Sequence, residues 1–247
     1  MTIRVAVLGA AGRMGATTCE AIEAAPDLDL VARLDAGDDV AALAGRADVA
    51  VDFTVPDATE ANVHALLDAG VHAVVGTTGW DDDAIDRVRE HAARTPGVGV
   101  LIAPNFALSA VLAMRFAAVA APLFASVEVV EMHHPHKVDA PSGTAIHTAR
   151  GIAQARADAG VGAMKDATET DPRGARGADY DGVRVHALRL EGLVAHEQIF
   201  LTNPGELLTI RTDTFDRSSY MPGVLLAVRQ VGSHPGVSVG LDSFVDL

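Results

Sequence analysis

The stretch EMHHPHKVDAPSGTA, residues 131–145, places three histidines, a lysine and two acids just ahead of a helix start. On an extended strand successive side chains alternate faces, so Glu131 and His133 share one side and Met132 and His134 the other. Pro135 ends the strand, and His136, Lys137 and Asp139 fall in a loop. Ser142 reads as the N-cap of the helix that follows. The N–H groups of Gly143 and Thr144 then point out of a helix start, which suits a carboxylate, and glycine lets an anion come close. Ser142, Gly143 and Thr144 are therefore the candidate carboxylate-binding corner. Lys137 supplies a cation for a second carboxylate, or a proton. His133 or His134 can serve as general acid near neutral pH. Such a set suits reduction of a C=C or C=N bond in a dicarboxylate, where hydride comes from a cofactor and the developing negative charge is met by a proton. No metal is expected. Adjacent strand histidines face opposite ways, no cysteine lies near, and Lys137 would repel the ion. His147 is assigned to helix surface or packing.

A second motif, VLGAAGRMG (7–15), sets Gly9, Gly12 and Gly15 between a strand and a helix, with Ala10, Ala11, Arg13 and Met14 filling the turn. The backbone must turn sharply there and meet a pyrophosphate with no side chain in the way, while the helix N-terminus faces the phosphate charge. Asp35 falls where the end of the second strand is expected and can hold an adenosine ribose, which favours NAD. Arg13 and Arg33 could instead serve a 2′-phosphate, so NADH and NADPH both stand as cofactors. GTTGW follows the fourth strand and APNF the fifth. Both occupy strand carboxyl ends, where open α/β sheets bind ligands. Gly76, Thr77 and Thr78, with Ala103, Pro104, Asn105 and Phe106, are therefore expected to line the cofactor.

The elements that must position these groups follow from periodicity. Residues 3–9, 28–34, 47–53, 71–76 and 98–104 are short apolar, β-branched runs, as in a parallel sheet covered on both faces. Helical stretches at 14–25, 57–69 and 82–94 lie between them, which gives an α/β, Rossmann-type domain. After Asn105 the pattern becomes a helix (108–121), a strand (126–134), a helix (143–157), a weakly patterned stretch to 182, and strands at 183–190, 196–201 and 206–213. That is an α+β domain with a mixed sheet. A last helix at 217–231 has no partner there and is expected to return to the first domain. The expected division is 1–106 with 217–247 for the dinucleotide and 107–216 for the substrate.

The 247 residues carry a net charge of −14, which argues against nucleic acid or an anionic membrane as partner. One cysteine, Cys19, excludes an internal disulfide and fits a reducing cytoplasm. The most apolar run, 107–121, is too short to span a bilayer and contains Arg115. The chain opens without the features of a signal peptide, so a cytoplasmic location is expected.

GAAGRMG, GTTGW, APNF and above all HHPHKVDAPSGTA together resemble dihydrodipicolinate reductase, also called the 4-hydroxy-tetrahydrodipicolinate reductase family, of lysine and diaminopimelate synthesis. The resemblance covers nearly the whole chain, departs from the family pattern at Ala107 and Ser109, and is looser beyond Ile152. It implies that NADH or NADPH reduces a cyclic, conjugated imine dicarboxylate to tetrahydrodipicolinate. It implies that His133 is the proton donor, Lys137 a second catalytic and substrate-binding group, His134 a substrate contact, and Gly143 and Thr144 the carboxylate-binding turn. It further implies a homotetramer assembled through the substrate domain. The alternative is another two-domain nicotinamide-dependent oxidoreductase acting on an amino-acid-derived semialdehyde or oxo acid.

Overall fold

The computed structural model describes residues 2–245; Met1 and positions 246 and 247, which close the ends of the expected first domain, lie outside the described residues. The chain divides into two compact units, Met1–Leu108 with Arg217–Leu247, and Ser109–Asp216.

The first unit is built on a six-stranded sheet in which every pairing is parallel. Its strands are β1 (Ile3–Leu8), β2 (Leu28–Leu34), β3 (Val49–Asp52), β4 (His72–Val75), β5 (Gly99–Ile102) and a sixth near the chain end, Gly236–Val239. Helices α1 (Arg13–Ala24), α2 (Pro56–Asp68) and α3 (Asp82–Ala92) join them. The β1, β3, β4 and β5 runs are buried through most of their length, as strands covered on both faces must be. Strand order places β2 on one side of β1 and β3 on the other, so the chain changes direction at the carboxyl end of β1. That switch point is where open α/β sheets bind ligands.

The last segment completes this unit. Arg217–Tyr220 is a 3₁₀ turn, and the α-helix proper runs from Met221 to Gln230, because Pro222 is tolerated only in a first helical turn. This helix packs on α1, and Arg229 clamps Asp27 with two hydrogen bonds of 2.7 and 3.0 Å. The short strand Gly236–Val239 then adds to the β5 edge, a pairing that its sequence, GVSV, does not announce with an apolar run. A side chain at Gly99 would meet the Val231 carbonyl at 2.1 Å, so only glycine allows that approach.

The second unit begins within α4 (Leu108–Ala120) and contains β6 (Ser126–His133), α5 (Gly143–Asp158), β7 (Ala178–Tyr180), β8 (Val183–Arg189), β9 (Ala195–Asn203) and β10 (Glu206–Thr214). The helix Met221–Gln230 is α6 and the strand Gly236–Val239 is β11 in this numbering. The five-stranded sheet is mixed, in the order β10-β9-β6-β8-β7, with β6 and β8 parallel and the other pairs antiparallel. The three-residue β7 falls inside the stretch that the pattern left without an element. Helix α5 turns Ala145, Thr148, Ala149, Ile152 and Arg156 onto the sheet, one helical stripe that meets Val127, Val129, Val183, Val185, Ile199 and Leu201. Among the described residues no helix is long and apolar enough to cross a membrane.

Arg156 ends that stripe with a buried cation and donates to the carbonyls of Ala121 (2.9 Å), Phe124 (2.6 Å) and Gly162 (3.3 Å). Burial pulls its pKa down from the ordinary arginine value. It ties the end of α5 to the loops on either side of it. Arg156→Met keeps the stem but leaves those carbonyls without a donor, and should cost about 2 kcal/mol in chemical denaturation.

Candidate active site

Register in the second sheet decides which polar groups meet. Glu131 on β6 lies opposite Ala187 of β8 and Glu197 of β9, while His133 lies opposite Arg189 and Ala195. Directly paired residues project to the same side, so Glu131, His133, Arg189 and Glu197 share the face covered by α5.

Glu131 is fully buried and its carboxylate is saturated. One oxygen accepts from His133 Nδ1 (2.6 Å) and Arg189 Nη1 (2.8 Å), the other from Arg189 Nη2 (2.8 Å) and the Ser142 N–H (3.0 Å). Burial pushes its pKa up, but the hydrogen bonds from His133 and Arg189 outweigh burial and hold it at about 2. An ionised carboxylate only accepts, so the proton on His133 must sit on Nδ1 when the ring is neutral. Nε2 is then the nitrogen left to exchange a proton with a ligand.

Arg189 does a second job. Its Nη2 also donates to the Asp139 carbonyl (2.7 Å) and its Nη1 to the Leu188 carbonyl (2.7 Å), so one guanidinium fixes the loop between Pro135 and Pro141 to the strand pair. In that loop Lys137 Nζ lies 2.8 Å from Asp139 Oδ1. The ammonium is the main reason that the Asp139 carboxyl sits below the usual range, burial opposes it, and the Gly143 N–H adds to the lowering. The carboxylate of Asp139 thus lies against the cation and the helix start that the sequence assigns to a ligand anion.

Ser142 caps α5: its Oγ accepts from the Ala145 N–H at 3.2 Å, and its own N–H goes to Glu131. It is buried, its N–H is committed to Glu131 and its Oγ accepts from the helix, which leaves the hydroxyl proton as the group it can offer a ligand. Gly143 is exposed, and the space where a side chain would stand is open to beyond 4 Å. The His134 Nδ1 is buried with no hydrogen-bond partner among the described residues, as suits an atom that a ligand satisfies. His147 lies on the exposed side of α5.

In the first unit the glycine turn has the shape a pyrophosphate requires. Gly9 has φ +76°, and a side chain there would strike the Phe53 carbonyl at 2.5 Å. At Gly15 it would strike the Gly9 carbonyl at 2.0 Å, so α1 starts hard against the turn. Gly12 is the N-cap of α1 and offers no capping side chain, which leaves the helix-start N–H groups to an anion. Ala11, Gly12 and Arg13 are exposed, Met14 is half-buried and Ala10 is buried. The exposed Asp35 accepts from the Ala11 N–H at 3.0 and 3.2 Å. Arg33 is paired with Glu23, so of the two arginines considered for a 2′-phosphate only Arg13 is without that ion pair.

The other two cofactor motifs converge on the end of β3. Asp52 is fully buried and accepts from the Thr54 N–H (2.9 Å), Thr54 Oγ1 (2.6 Å), Thr77 Oγ1 (2.8 Å) and Asn62 Nδ2 (3.0 Å). The Thr77 hydroxyl therefore faces inward to Asp52, while Thr78 beside it is exposed. A side chain at Gly76 would enter the Phe53 ring at 2.1 Å, and Phe53 meets Phe106 edge-on with centroids 6.0 Å apart. The Asn105 side chain caps the Ala107 N–H at 2.9 Å, Ala103 and Phe106 are buried, and Pro104 is exposed. These residues fit a dinucleotide: a side-chain-free turn, an uncapped helix start and a carboxylate at the ribose position.

Comparison with known proteins comes to the same place. Residues 3–106 match the family described as dihydrodipicolinate reductase, N-terminus, and residues 109–245 match dihydrodipicolinate reductase, C-terminus. The chain is 77% identical over 247 residues to a 4-hydroxy-tetrahydrodipicolinate reductase of Beutenbergia cavernae, covering 100% of both chains. It is 58% identical over 248 residues to the protein of that name from Nocardia farcinica, again with 100% of both covered. Among solved structures it is similar to a dipicolinate-bound dihydrodipicolinate reductase from Paenisporosarcina sp. TG-14, with a TM-score of 0.90 and 36% identity over 99% of this chain and 100% of that one.

Removing the Glu131 charge tests the geometry. Glu131→Ala strands Arg189 and frees the His133 ring, and should destabilise the protein by about 3 kcal/mol in chemical denaturation. The wild-type contribution has a defined pH window. A carboxyl held at about 2 instead of 4.5 stabilises above the unfolded value and loses that contribution as pH falls through about 2. The difference between wild type and variant should therefore shrink on acidification.

Proposed function

Since the chain belongs to the dihydrodipicolinate reductase family across both its units, we propose that it reduces 4-hydroxy-tetrahydrodipicolinate, by way of the cyclic conjugated imine, to tetrahydrodipicolinate with NADH or NADPH. The observation that carries this reading is the single ensemble of His133 oriented by Glu131, Lys137 in the adjoining loop, and the exposed Gly143 at the start of α5.

When bound, the nicotinamide supplies a hydride to the conjugated double bond of the substrate. The chain supplies the rest. One substrate carboxylate is received at the α5 N-terminus by Gly143 and Thr144, with Lys137 as the charge partner. This ligand takes the place of the Asp139 carboxylate on Lys137, an exchange of one anion for another. The His134 Nδ1 gains the partner it lacks. As negative charge develops on the ring, the protonated His133 donates from Nε2, while Glu131 holds Nδ1 and keeps the imidazole aimed. Gly9, Gly12 and Gly15 admit the pyrophosphate, and Asp35 accepts from the adenosine ribose in place of the Ala11 N–H. The carboxylate at that position favours NADH, and Arg13 is the cation that would serve NADPH.

The reading extends to assembly and place. The second sheet leaves Leu188, Leu190 and Leu207 on its surface at 42, 54 and 59% exposure, and these support a homotetramer built through that unit. A cytoplasmic location suits the one buried, free thiol, Cys19.

Two measurements test the reading. With enzymatically generated substrate, His133→Ala and Lys137→Ala should each lower kcat at least about tenfold, and NADH binding followed by fluorescence should persist in both. Unimpaired turnover in both ends the assignment. In light scattering the wild type should have the mass of four chains, and Leu188→Asp with Leu207→Asp should reduce it.

A further inference from the structure

The proton-donor reading leaves one buried ionisable group without a task. Glu197 lies directly across the β6–β9 ladder from Glu131, and both carboxyls belong to the α5 side of the sheet. Their environments differ sharply. Glu131 has four donors, two of them from a guanidinium. For Glu197 one donor is found among the described residues, the Thr148 hydroxyl of α5 at 2.9 Å, whose single proton is shared with the Thr144 carbonyl at 3.0 Å. Its other sheet neighbour, Thr212 of β10, has its hydroxyl turned to Ser109 of α4 at 2.7 Å. The adjacent ion pair of His196 and Asp213 lies on the opposite face of the sheet. The charges facing Glu197 are thus Glu131 and, beyond it, Arg189 and His133. Two like charges side by side in a sheet interior, with one guanidinium bound to Glu131 on the side away from Glu197, cannot both be held cheaply. Glu131 is the carboxyl that the cation and the helix cap stabilise, so Glu197 is the neutral acid.

We propose that Glu197 is a positioning residue of the reductive site, acting through Glu131: its protonation state sets the net charge of the cluster that holds the His133 imidazole. The proposal rests on the reading of His133 as proton donor. While Glu197 keeps its proton, Glu131 and Arg189 cancel and His133 sees a neutral pair. When Glu197 releases its proton to solvent, the cluster carries one excess negative charge beside the imidazole, and that charge favours the protonated, donating ring. Burial, with the neighbouring Glu131 adding to it, lifts the Glu197 carboxyl to about 7 against the pull of Thr148. Ionisation of Glu197 as pH rises thereby extends the range over which the donor stays charged.

Glu197→Gln tests this, because the amide has the shape of the acid and cannot ionise. The high-pH limb of the kcat/KM profile should move down by about half a pH unit or more. A purely structural role would scale the profile without moving that limb. Stability gives a second readout. An acid with a raised folded pKa stabilises below its unfolded value, 4.5, and loses that contribution as pH rises through about 7. The wild-type Tm should therefore fall relative to Glu197→Gln across that window and run parallel to it above. Should the glutamine variant not fold, Thr148→Val carries the test: without its donor Glu197 stays neutral to higher pH, and the high-pH limb again moves down. Unmoved limbs in the folded variants overturn the proposal. His133→Ala separates it from the reading beneath: normal turnover there overturns the donor assignment, whereas a dead His133→Ala with an unmoved Glu197→Gln limb overturns only the role of Glu197.

Discussion

The site in the second unit depends on one saturated carboxylate. Glu131 sits in a sheet interior where an unpaired charge would cost several kcal/mol, and four donors from three parts of the chain converge on it. The same four contacts place the site. His133 is fixed in ring orientation and tautomer, Arg189 is fixed to pin the loop through the Asp139 carbonyl, and Ser142 is fixed to start α5 where it does. A shift of one residue in the β6–β8 register would turn His133 and Arg189 to opposite faces and dissolve the arrangement.

The first unit has a counterpart at the end of β3, where a buried carboxyl gathers several donors. Asp52 is surrounded by neutral donors, and these are the residues that shape the mouths of β3 and β4. Beside it Phe53 presses its carbonyl on Gly9 and its ring on Gly76 and Phe106. Three glycine-containing or aromatic motifs far apart in the chain are therefore shaped by two consecutive residues. Gly9 and Gly76 are glycines as much for Phe53 as for a ligand.

The legible part of the sequence was what local rules govern. Strand and helix periods, the cap at Ser142 and the alternation that puts Glu131 beside His133 are all short-range. The fold class followed from them, and the two family matches agree with it. What local rules could not supply was pairing across long separations. Arg189 lies 58 residues from Glu131 and Asp52 lies 25 from Thr77, so neither partnership has a signature in spacing. The burial of Ser142 follows from Glu131 taking its N–H, a tertiary fact that an N-cap pattern does not contain. Strand β7 has only three residues, and β11, as short as β3, β4 and β5, lacks the buried apolar run that marks them. Pro222 was the one missed local signal: it marks the first turn of α6, and the residues before it form a separate 3₁₀ turn.

The return of α6 and β11 to the first unit has a consequence during translation. Residues 109–216 are contiguous, so the second unit has its whole sheet available before the ribosome reaches Arg217. The first unit begins earlier but has no clamp for Asp27 until Arg229 emerges, nor a partner for the β5 edge until Gly236–Val239 does. The half made first is thus the half closed last, and the nascent chain must carry an open parallel sheet through the synthesis of an entire second unit.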